Sequence, residues 1–207
     1  MEIKYISRGR HGKTNYSELL KIRHPVNKKD YIANVLSAAE IPPKDREAEL
    51  NELMKLCNLS HDNIIKHENI YIDQDQCNIV MEFFEINDLT KVMKKYEKDH
   101  KVIPETEILK HIKDITKGLQ YLHSNNVIHR NLNPDNIIID SKGTPKVTNF
   151  AISKILKDIH SKSYKILQNY GYMSPEVLKG EPFDSSADIW SLGCILYQLC
   201  TFKVTFR

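Results

Sequence analysis

The sequence has no long apolar run and almost no net charge. Its longest apolar stretches, at 137–139 and 194–197, fall far short of the ~20 residues that a membrane helix needs. We expect no secretory signal, because no basic segment precedes an apolar run at the N-terminus. Thirty Lys and Arg residues against 27 Asp and Glu give a formal charge of +3. This balance argues against a nucleic-acid-binding surface, so neither membrane nor nucleic acid is an expected partner.

Glycine, proline and cysteine are also scarce. Seven glycines and eight prolines in 207 residues exclude collagen-like and low-complexity proteins, while 41% apolar residues suffice for a folded core. The four cysteines, Cys57, Cys77, Cys194 and Cys200, form no C-x-x-C pair and stand among apolar neighbours. They predict reduced core thiols in a cytoplasmic protein.

The hydrophobic pattern changes near residues 82–88. Before this point, short apolar runs alternate with turn signals, which predicts strands within 3–36 and at 64–65, 70–72 and 79–81. One helix interrupts these strands, and its apolar positions recur at helical spacing: Leu50, Leu53, Met54, Leu56 and Cys57.

After the change, helical spacing dominates. A stripe of apolar residues predicts an amphipathic helix: Ile108, Leu109, Ile112, Ile115, Leu119 and Leu122. Residues 137–139 and 146–148 flank a Ser-Lys-Gly turn and predict a β-hairpin. From Ala187 to Phe202 the sequence is apolar on most of the helix circumference, which is typical of helices buried on all sides.

Residues 7–14 are the first candidate for chemistry. Their sequence, SRGRHGKT, lacks one glycine of the pattern G-x-x-x-x-G-K-[ST], in which backbone N–H groups converge on phosphates. Taken alone, the segment fits either a degenerate nucleotide-binding loop or a plain hairpin.

A second motif is followed along the chain by three further motifs in the expected order. Residues 129–136, HRNLNPDN, resemble the protein-kinase catalytic loop H-R-D-L-K-P-E-N. NFA at 149–151 stands where D-F-G belongs, SPE at 174–176 where A-P-E belongs, and 188–193 match D-x-W-S-x-G. Four markers in the right order indicate a protein-kinase-like domain.

Within that class, the sequence resembles the NIMA-related serine/threonine kinases. The resemblance implies a bilobal α+β fold: a β-rich N-lobe with one helix at 1–82, a hinge at 83–88, and a mainly helical C-lobe at 89–207. That C-lobe is expected to be shortened, because the family continues through further helices after D-x-W-S-x-G. Three segments carry the resemblance: LSHDNII at 59–65, VMEFF at 80–84 and LCTFK at 199–203.

The resemblance also assigns a nucleotide pocket. Ser7, Gly9, Gly12 and Thr14 correspond to the glycine-rich lid, and Asn34 stands where a strand should carry the phosphate-binding lysine. Among the remaining pocket residues, Glu52 corresponds to the helix acid that pairs with that lysine. The full set is Ile32, Glu52, Met81, Glu82, Phe84 and Ile138.

Asparagine replaces the charged groups of phosphoryl transfer. These positions are Asn34 for the lysine, Asn131 for the proton-accepting aspartate, Asn133 for a second lysine and Asn149 for the metal-binding aspartate, while Asn136 keeps the second metal position. Asparagine cannot take up a proton at neutral pH and offers a metal only a neutral carbonyl. We therefore expect a catalytically inactive domain that requires no cofactor and binds ATP and Mg²⁺ weakly or not at all.

Other matching residues are expected to be architectural. Asp188 corresponds to the acid that binds the catalytic-loop backbone, and Glu176 belongs to the A-P-E motif, whose arginine partner lies in the missing helices. Four residues correspond to the stacked side chains that link the two lobes: Leu56, His67, His129 and Phe150.

Binding is the expected role of such a domain, as a scaffold or protein-binding module. Two alternatives stay open: a weakly active ATP-dependent serine/threonine kinase, and a structural subunit of a microtubule or ciliary assembly. The resemblance suggests the cytoplasm, with the centrosome, microtubules or cilium as sites. A protein partner is expected to cover the helix at 187–202, and Arg130 is expected to hold a phosphate on Ser161 or Ser163.

Overall fold

The protein, described by a computed structural model, contains two compact units. The first unit comprises the described parts of 1–60 and 65–85, and the second those of 61–64, 86–153 and 168–207. Among the described residues, the chain thus passes between the units at 60–61, 64–65 and 85–86. The structure describes five stretches: 4–13, 17–38, 46–73, 75–150 and 170–206.

A five-stranded antiparallel sheet forms the first unit. The strands are β1 Ile6–Lys13, β2 Glu18–Arg23, β3 Asp30–Ser37, β4 His67–Asp73 and β5 Gln76–Glu82, in the order β1-β2-β3-β5-β4. The neighbouring strands β3 and β5 are buried over most of their length, as their near-continuous apolar runs require. The edge strand β1 is largely exposed.

One helix accompanies the sheet, as predicted. Helix α1, Arg46–Met54, continues into a 3₁₀ turn at Lys55–Asn58, and Leu53 and Leu56 are buried. The predicted strand at 64–65 is wrong. Ile64 forms only an isolated parallel bridge with Val147, because the turn at 62–63 leaves too few extended residues for a ladder.

Helices predominate in the second unit. They are α2 Leu89–Lys98, α3 Glu105–Ser124, α4 Pro175–Lys179 and α5 Ser186–Thr201. The predicted hairpin is present as β6 Ile137–Ile139 paired with β7 Pro145–Val147. No helix in the described ranges is both long enough and apolar enough to span a membrane.

The buried face of α3 differs from its predicted stripe. Leu109 is 57% exposed, whereas His111 and Gly118 are buried. Gly118 is required because a Cβ there would lie 2.5 Å from the Asn63 carbonyl oxygen. The apolar spacing therefore did not predict the burial of His111 and Gly118, because their burial depends on the residues that pack against them.

Helix α5 is buried on one face only. Ile195 is fully buried, but Ile189 is 52% exposed and Trp190 and Tyr197 are also exposed. The apolar circumference of α5 is thus only partly buried, and the exposed part agrees with the expectation of an uncovered apolar surface on this helix. Cys200 lies on the same exposed face, which corrects its assignment as a core thiol. The other cysteines are buried or half-buried: Cys57, Cys77 and Cys194.

Candidate functional site

The catalytic-like loop at 129–136 is anchored by one buried carboxylate from α5. Asp188 is 1% exposed. Its Oδ1 accepts the backbone N–H of Arg130 at 2.9 Å, and its Oδ2 accepts that of His129 at 2.8 Å. The imidazole Nε2 of His123 donates to the same Oδ2 at 2.7 Å. Asp188 therefore has the architectural role predicted for it, and His123 is a partner that the sequence motifs did not reveal.

His129 is a structural side chain inside the same loop. It is fully buried, and its Nε2–H donates to the Thr148 carbonyl at 2.9 Å while its Nδ1 accepts the Asn131 N–H at 3.3 Å. Burial lowers the pKa of the imidazole, which keeps the ring neutral. One ring nitrogen is hydrogen-bonded within the loop and the other to the chain after β7, so His129 supports the backbone conformation.

Four asparagines meet in the loop through their carboxamides. The Nδ2 atoms of Asn133 and Asn136 both donate to the main-chain carbonyl of Asn131, at 2.9 Å and 2.8 Å. The Nδ2 of Asn149 donates to Oδ1 of Asn136 at 2.8 Å. The structure thus brings together the four asparagines that the sequence assigns to catalytic and metal positions, three from the loop and Asn149 from the chain after β7. We call Asn131, Asn133, Asn136 and Asn149 the amide cluster.

The amide cluster does not fit a divalent cation. Mg²⁺ prefers carboxylate and water oxygens in an octahedral shell, whereas Asn136 Oδ1 already accepts a hydrogen bond from Asn149. Across the described residues, no three His, Cys, Asp or Glu side chains converge on a metal position. Asp135 is a nearby carboxylate, but its Oδ1 accepts the Thr90 hydroxyl at 2.6 Å.

Arg130 lies next to the amide cluster with an unusual backbone. Its φ is 67°, in the left-handed region, and its guanidinium lies 5.6 Å from the centre of the Phe183 ring. Its Nε is buried without a hydrogen-bond partner among the described residues. Ser161 and Ser163, the predicted phosphate carriers, lie outside the described residues, so their pairing with Arg130 stays a prediction.

In the first unit, the position of the phosphate-binding lysine is buried. Asn34 is 1% exposed in β3, where it pairs with Leu19 of β2 and Ile79 of β5. Glu52, the expected acid partner of that lysine, is exposed on α1 and forms an ion pair with Lys55. Ile32 and Met81 pair with each other across β3 and β5 and are buried in the sheet, and their place in a nucleotide pocket stays a prediction.

Both glycines of the predicted lid lie in β1. Gly9 lies within β1 at a bulge, with a φ of 104°, and Gly12 pairs with Leu19 of β2. The connection between β1 and β2 begins after Lys13, so Gly9 lies outside it. Thr14 lies outside the described residues. The assignment of Gly9 to the lid stays a prediction, because the glycine spacing alone cannot show where the strand ends.

A histidine from β1 contacts the predicted hinge. The Nε2 of His11 lies 2.9 Å from the main-chain carbonyl oxygen of Phe84, and its ring centre is 5.4 Å from that of Phe83. Glu82 contributes Oε1 as acceptor for the N–H of Lys66 at 3.1 Å. His11 lies within the segment at 7–14 but at a variable position of its motif, so no sequence signal indicated this contact.

The remaining predicted residues occupy separate places. Leu56 and His67 are buried in the first unit, where burial lowers the pKa of His67 to about 3. Phe150 and Ile138 are buried in the second. Their proposed role in linking the lobes stays a prediction. Glu176 begins α4 and forms no ion pair within the described part of the chain.

The fold and the loop at 129–136 agree with a match to a known protein family. A family model for the protein kinase domain matches residues 5–207. The chain therefore belongs to the protein kinase domain family, and the predicted α+β kinase-like fold is confirmed by this match together with the five-stranded sheet and the helical second unit.

The curated relatives narrow the class to NIMA-related kinases. The chain is 34% identical over 200 residues to the probable serine/threonine-protein kinase nek3 of Dictyostelium discoideum. It is 31% identical over 202 residues to Nek2 of Mus musculus and 29% identical over 207 residues to Nek5 of Homo sapiens. These matches cover 95, 94 and 99% of this chain but only 18, 46 and 28% of the relatives. The predicted resemblance is confirmed, and the chain spans less than half the length of each.

Proposed function

We propose that this NIMA-related kinase domain is catalytically inactive and acts as a scaffold or protein-binding module. The observation that carries the proposal is the amide cluster, in which neutral carboxamides hydrogen-bond to one another and to the backbone at the positions of the base and the metal ligands. A kinase depends on charge at those positions to hold Mg²⁺ and to accept the hydroxyl proton.

The expected loss of rate is large. Removing a general base typically costs about 10²–10⁴ in rate, and removing metal and phosphate contacts costs several kcal/mol more. Because Asn34, Asn131 and Asn149 are all neutral, a single displaced charge would not replace them. We therefore assign no phosphotransfer role to the loop.

Nucleotide binding is proposed to be weak. Asn34 supplies no positive charge to phosphates, and the Phe84 carbonyl already faces the imidazole of His11 at 2.9 Å. A ligand that hydrogen-bonds to this carbonyl must displace His11, and Ile32 adds bulk in the neighbouring strand. The domain is accordingly proposed to require no cofactor.

Phosphate transfer and nucleotide binding are measured together. We expect no Mg²⁺-dependent incorporation of labelled phosphate from ATP into a generic protein substrate above the level of an Asn136→Ala control. We also expect 1 mM ATP with Mg²⁺ to raise the melting temperature of the chain by less than about 1 °C, since a ligand below its Kd stabilises little. Turnover that Asn136→Ala abolishes would show a weakly active serine/threonine kinase and refute the proposal.

The exposed face of α5 is the proposed partner surface. Ile189, Trp190, Leu196 and Tyr197 are exposed large apolar residues on one 16-residue helix, and an apolar patch of this kind marks interaction sites. The Trp190 ring stacks on Phe206 with centres 5.4 Å apart, which extends the patch beyond the helix. We propose that a protein partner covers it. A cytoplasmic site at centrosomes, microtubules or cilia rests on the family resemblance alone.

The state of the isolated chain tests this surface. We expect the wild-type chain to self-associate or elute with bound protein in size-exclusion chromatography. The double variant Ile189→Glu/Tyr197→Glu should elute as a monomer, because two charges disrupt apolar contact. Lys179→Glu, on exposed α4, is the matched surface control and should behave as wild type. A wild-type chain that is monodisperse and monomeric would contradict the need for a partner.

A further inference from the structure

The hydrogen bonds of the amide cluster have a fixed direction. Asn133 Oδ1 accepts the Asp135 N–H at 3.0 Å, so its Nδ2 must face Asn131. Asn136 Nδ2 donates to the Asn131 carbonyl, which leaves its Oδ1 facing Asn149. Asn149 must therefore present its N–H group. A carboxamide has one accepting oxygen and one donating nitrogen, so neither Asn133 nor Asn136 can reverse without breaking a bond to the backbone.

The cluster also ties two segments together. The backbone N–H of Thr148 donates to the Asn136 carbonyl at 3.0 Å, and the Asn149 side chain donates to the Asn136 side chain one residue later. Main-chain and side-chain bonds thus hold the end of β7 against the loop at 131–136. These contacts need no ion between them.

We propose that Asn149 is a positioning residue that holds the loop at 131–136 to the chain after β7 in the absence of any cation. A carboxylate at 149 would place two accepting oxygens against each other at about the present 2.8 Å separation, an arrangement that is stable only with a cation between them. The amide makes a direct bond at the same place. Asn149 thereby makes the order of this loop independent of metal.

The backbone conformation of Asn149 is one that both asparagine and aspartate can adopt. Asn149 has a φ of 66°, in the left-handed region, which asparagine and aspartate tolerate better than most residues. Asn149→Asp therefore changes the hydrogen-bonding group and the charge with little change in backbone strain.

Asn131 offers a matched control in the same loop. Its side-chain Oδ1 accepts from Asn133 Nδ2 at 3.3 Å, so Asn131→Asp retains an acceptor where one is used. The same exchange of NH₂ for oxygen, with the same added charge, is thus compatible with the hydrogen bonds at 131 and incompatible at 149. The direction of the hydrogen bond is the difference that this pair of variants tests.

The experiment compares thermal unfolding of the full chain and its variants in EDTA and in 20 mM Mn²⁺, without nucleotide. In EDTA we expect Asn149→Asp to lower the melting temperature by roughly 3–8 °C and Asn131→Asp by less than about 2 °C. Mn²⁺ should restore part of the loss in Asn149→Asp and leave the wild type unchanged. Asn58→Asp, at an exposed position, controls for nonspecific binding of the cation.

Three results would overturn the proposal. They are equal losses in Asn149→Asp and Asn131→Asp, a wild-type melting temperature that rises with Mn²⁺, and a loss in Asn149→Asp that Mn²⁺ does not reduce relative to Asn58→Asp.

A measurement on the wild type covers the case in which Asn149→Asp does not fold. The Asn149 side-chain amide should exchange with solvent at least about tenfold more slowly than that of Asn58, equally in EDTA and in Mg²⁺. Exchange as fast as at Asn58 contradicts the proposal. A non-catalytic loop is the premise, taken from the proposed function. Phosphate transfer by the wild type refutes that premise, whereas the unfolding and exchange results bear on Asn149 itself.

Discussion

Asp188 and the amide cluster both hydrogen-bond to the loop at 129–136 and differ in charge. Asp188 keeps a buried carboxylate that accepts three hydrogen bonds, from two backbone N–H groups and His123. The amide cluster has carboxamides where the kinase motifs have two carboxylates and a lysine. The carboxylate that organises the backbone is present, and the charges that phosphoryl transfer requires are absent. The residue that organises the backbone of the loop and the residues at the positions of phosphoryl transfer are thus different.

Removing the charge of Asp188 should have the largest effect. In Asp188→Asn, one oxygen is replaced by an N–H group that faces donors, so we expect a loss of about 3–5 kcal/mol in the free energy of unfolding. Urea denaturation measures this loss. Asp99→Asn, at an exposed position, is the matched control and should change stability by less than about 0.5 kcal/mol. Equal stability of both variants would remove the distinction drawn between Asp188 and the amide cluster.

Acidification is expected to destabilise the protein through buried histidines, since the amide cluster itself does not titrate. Burial lowers the pKa of His67 to about 3 and also lowers those of His111 and His129. The unfolded chain therefore binds more protons below pH ~6.5, and stability falls as the pH decreases below that value.

The expected slope is up to about 1.4 kcal/mol per pH unit for each histidine that stays neutral. Urea denaturation at pH 7.5, 6.5 and 5.5 measures it, and His111→Leu should reduce the slope by about one histidine's share. A stability that does not change between pH 6.5 and 5.5 would show that these rings do not stay neutral in the folded state.

Replacing Asn34 by lysine, the residue that the family has there, should lower the free energy of unfolding by about 2–3 kcal/mol. Asn34 is buried between two strands, and Glu52 is exposed beside Lys55, so a lysine at 34 would bury an ammonium group without its expected partner. The methionine side chain is similar in length to that of lysine and carries no charge. The difference between Asn34→Lys and Asn34→Met in urea denaturation therefore measures the effect of the charge. An Asn34→Lys variant as stable as Asn34→Met would indicate that Glu52 can still reach it.

The smallest effect is expected at Glu52. Its side chain is exposed and pairs with Lys55 at i,i+3, and surface pairs of this kind contribute about 0.5 kcal/mol or less. Glu52→Gln should therefore leave the urea midpoint nearly unchanged, with Glu47→Gln on the same helix as control. A loss above about 2 kcal/mol would give Glu52 a role comparable to that of Asp188.

Much of the fold was predictable because motif order and strand pattern are local properties. The kinase markers at 129–136 and 188–193 predicted that Asp188 would bind the loop backbone, and this contact is confirmed. His11, by contrast, lies 73 positions before Phe84 in the chain, and no spacing rule indicates a contact over that distance. For a related reason the role of Gly9 stays a prediction: its spacing fits a lid, and strand pairing extends β1 past it.

The amino-acid sequence alone determined which charges are absent, because asparagine is neutral wherever the chain places it. It also determined the family, through the order of four motifs. The tertiary structure decided how the four carboxamides pair and which face of α5 is exposed. It also decided that His11 contacts the Phe84 carbonyl. These features depend on the direction and distance of atoms far apart in the chain, and composition and periodicity carry no information about either.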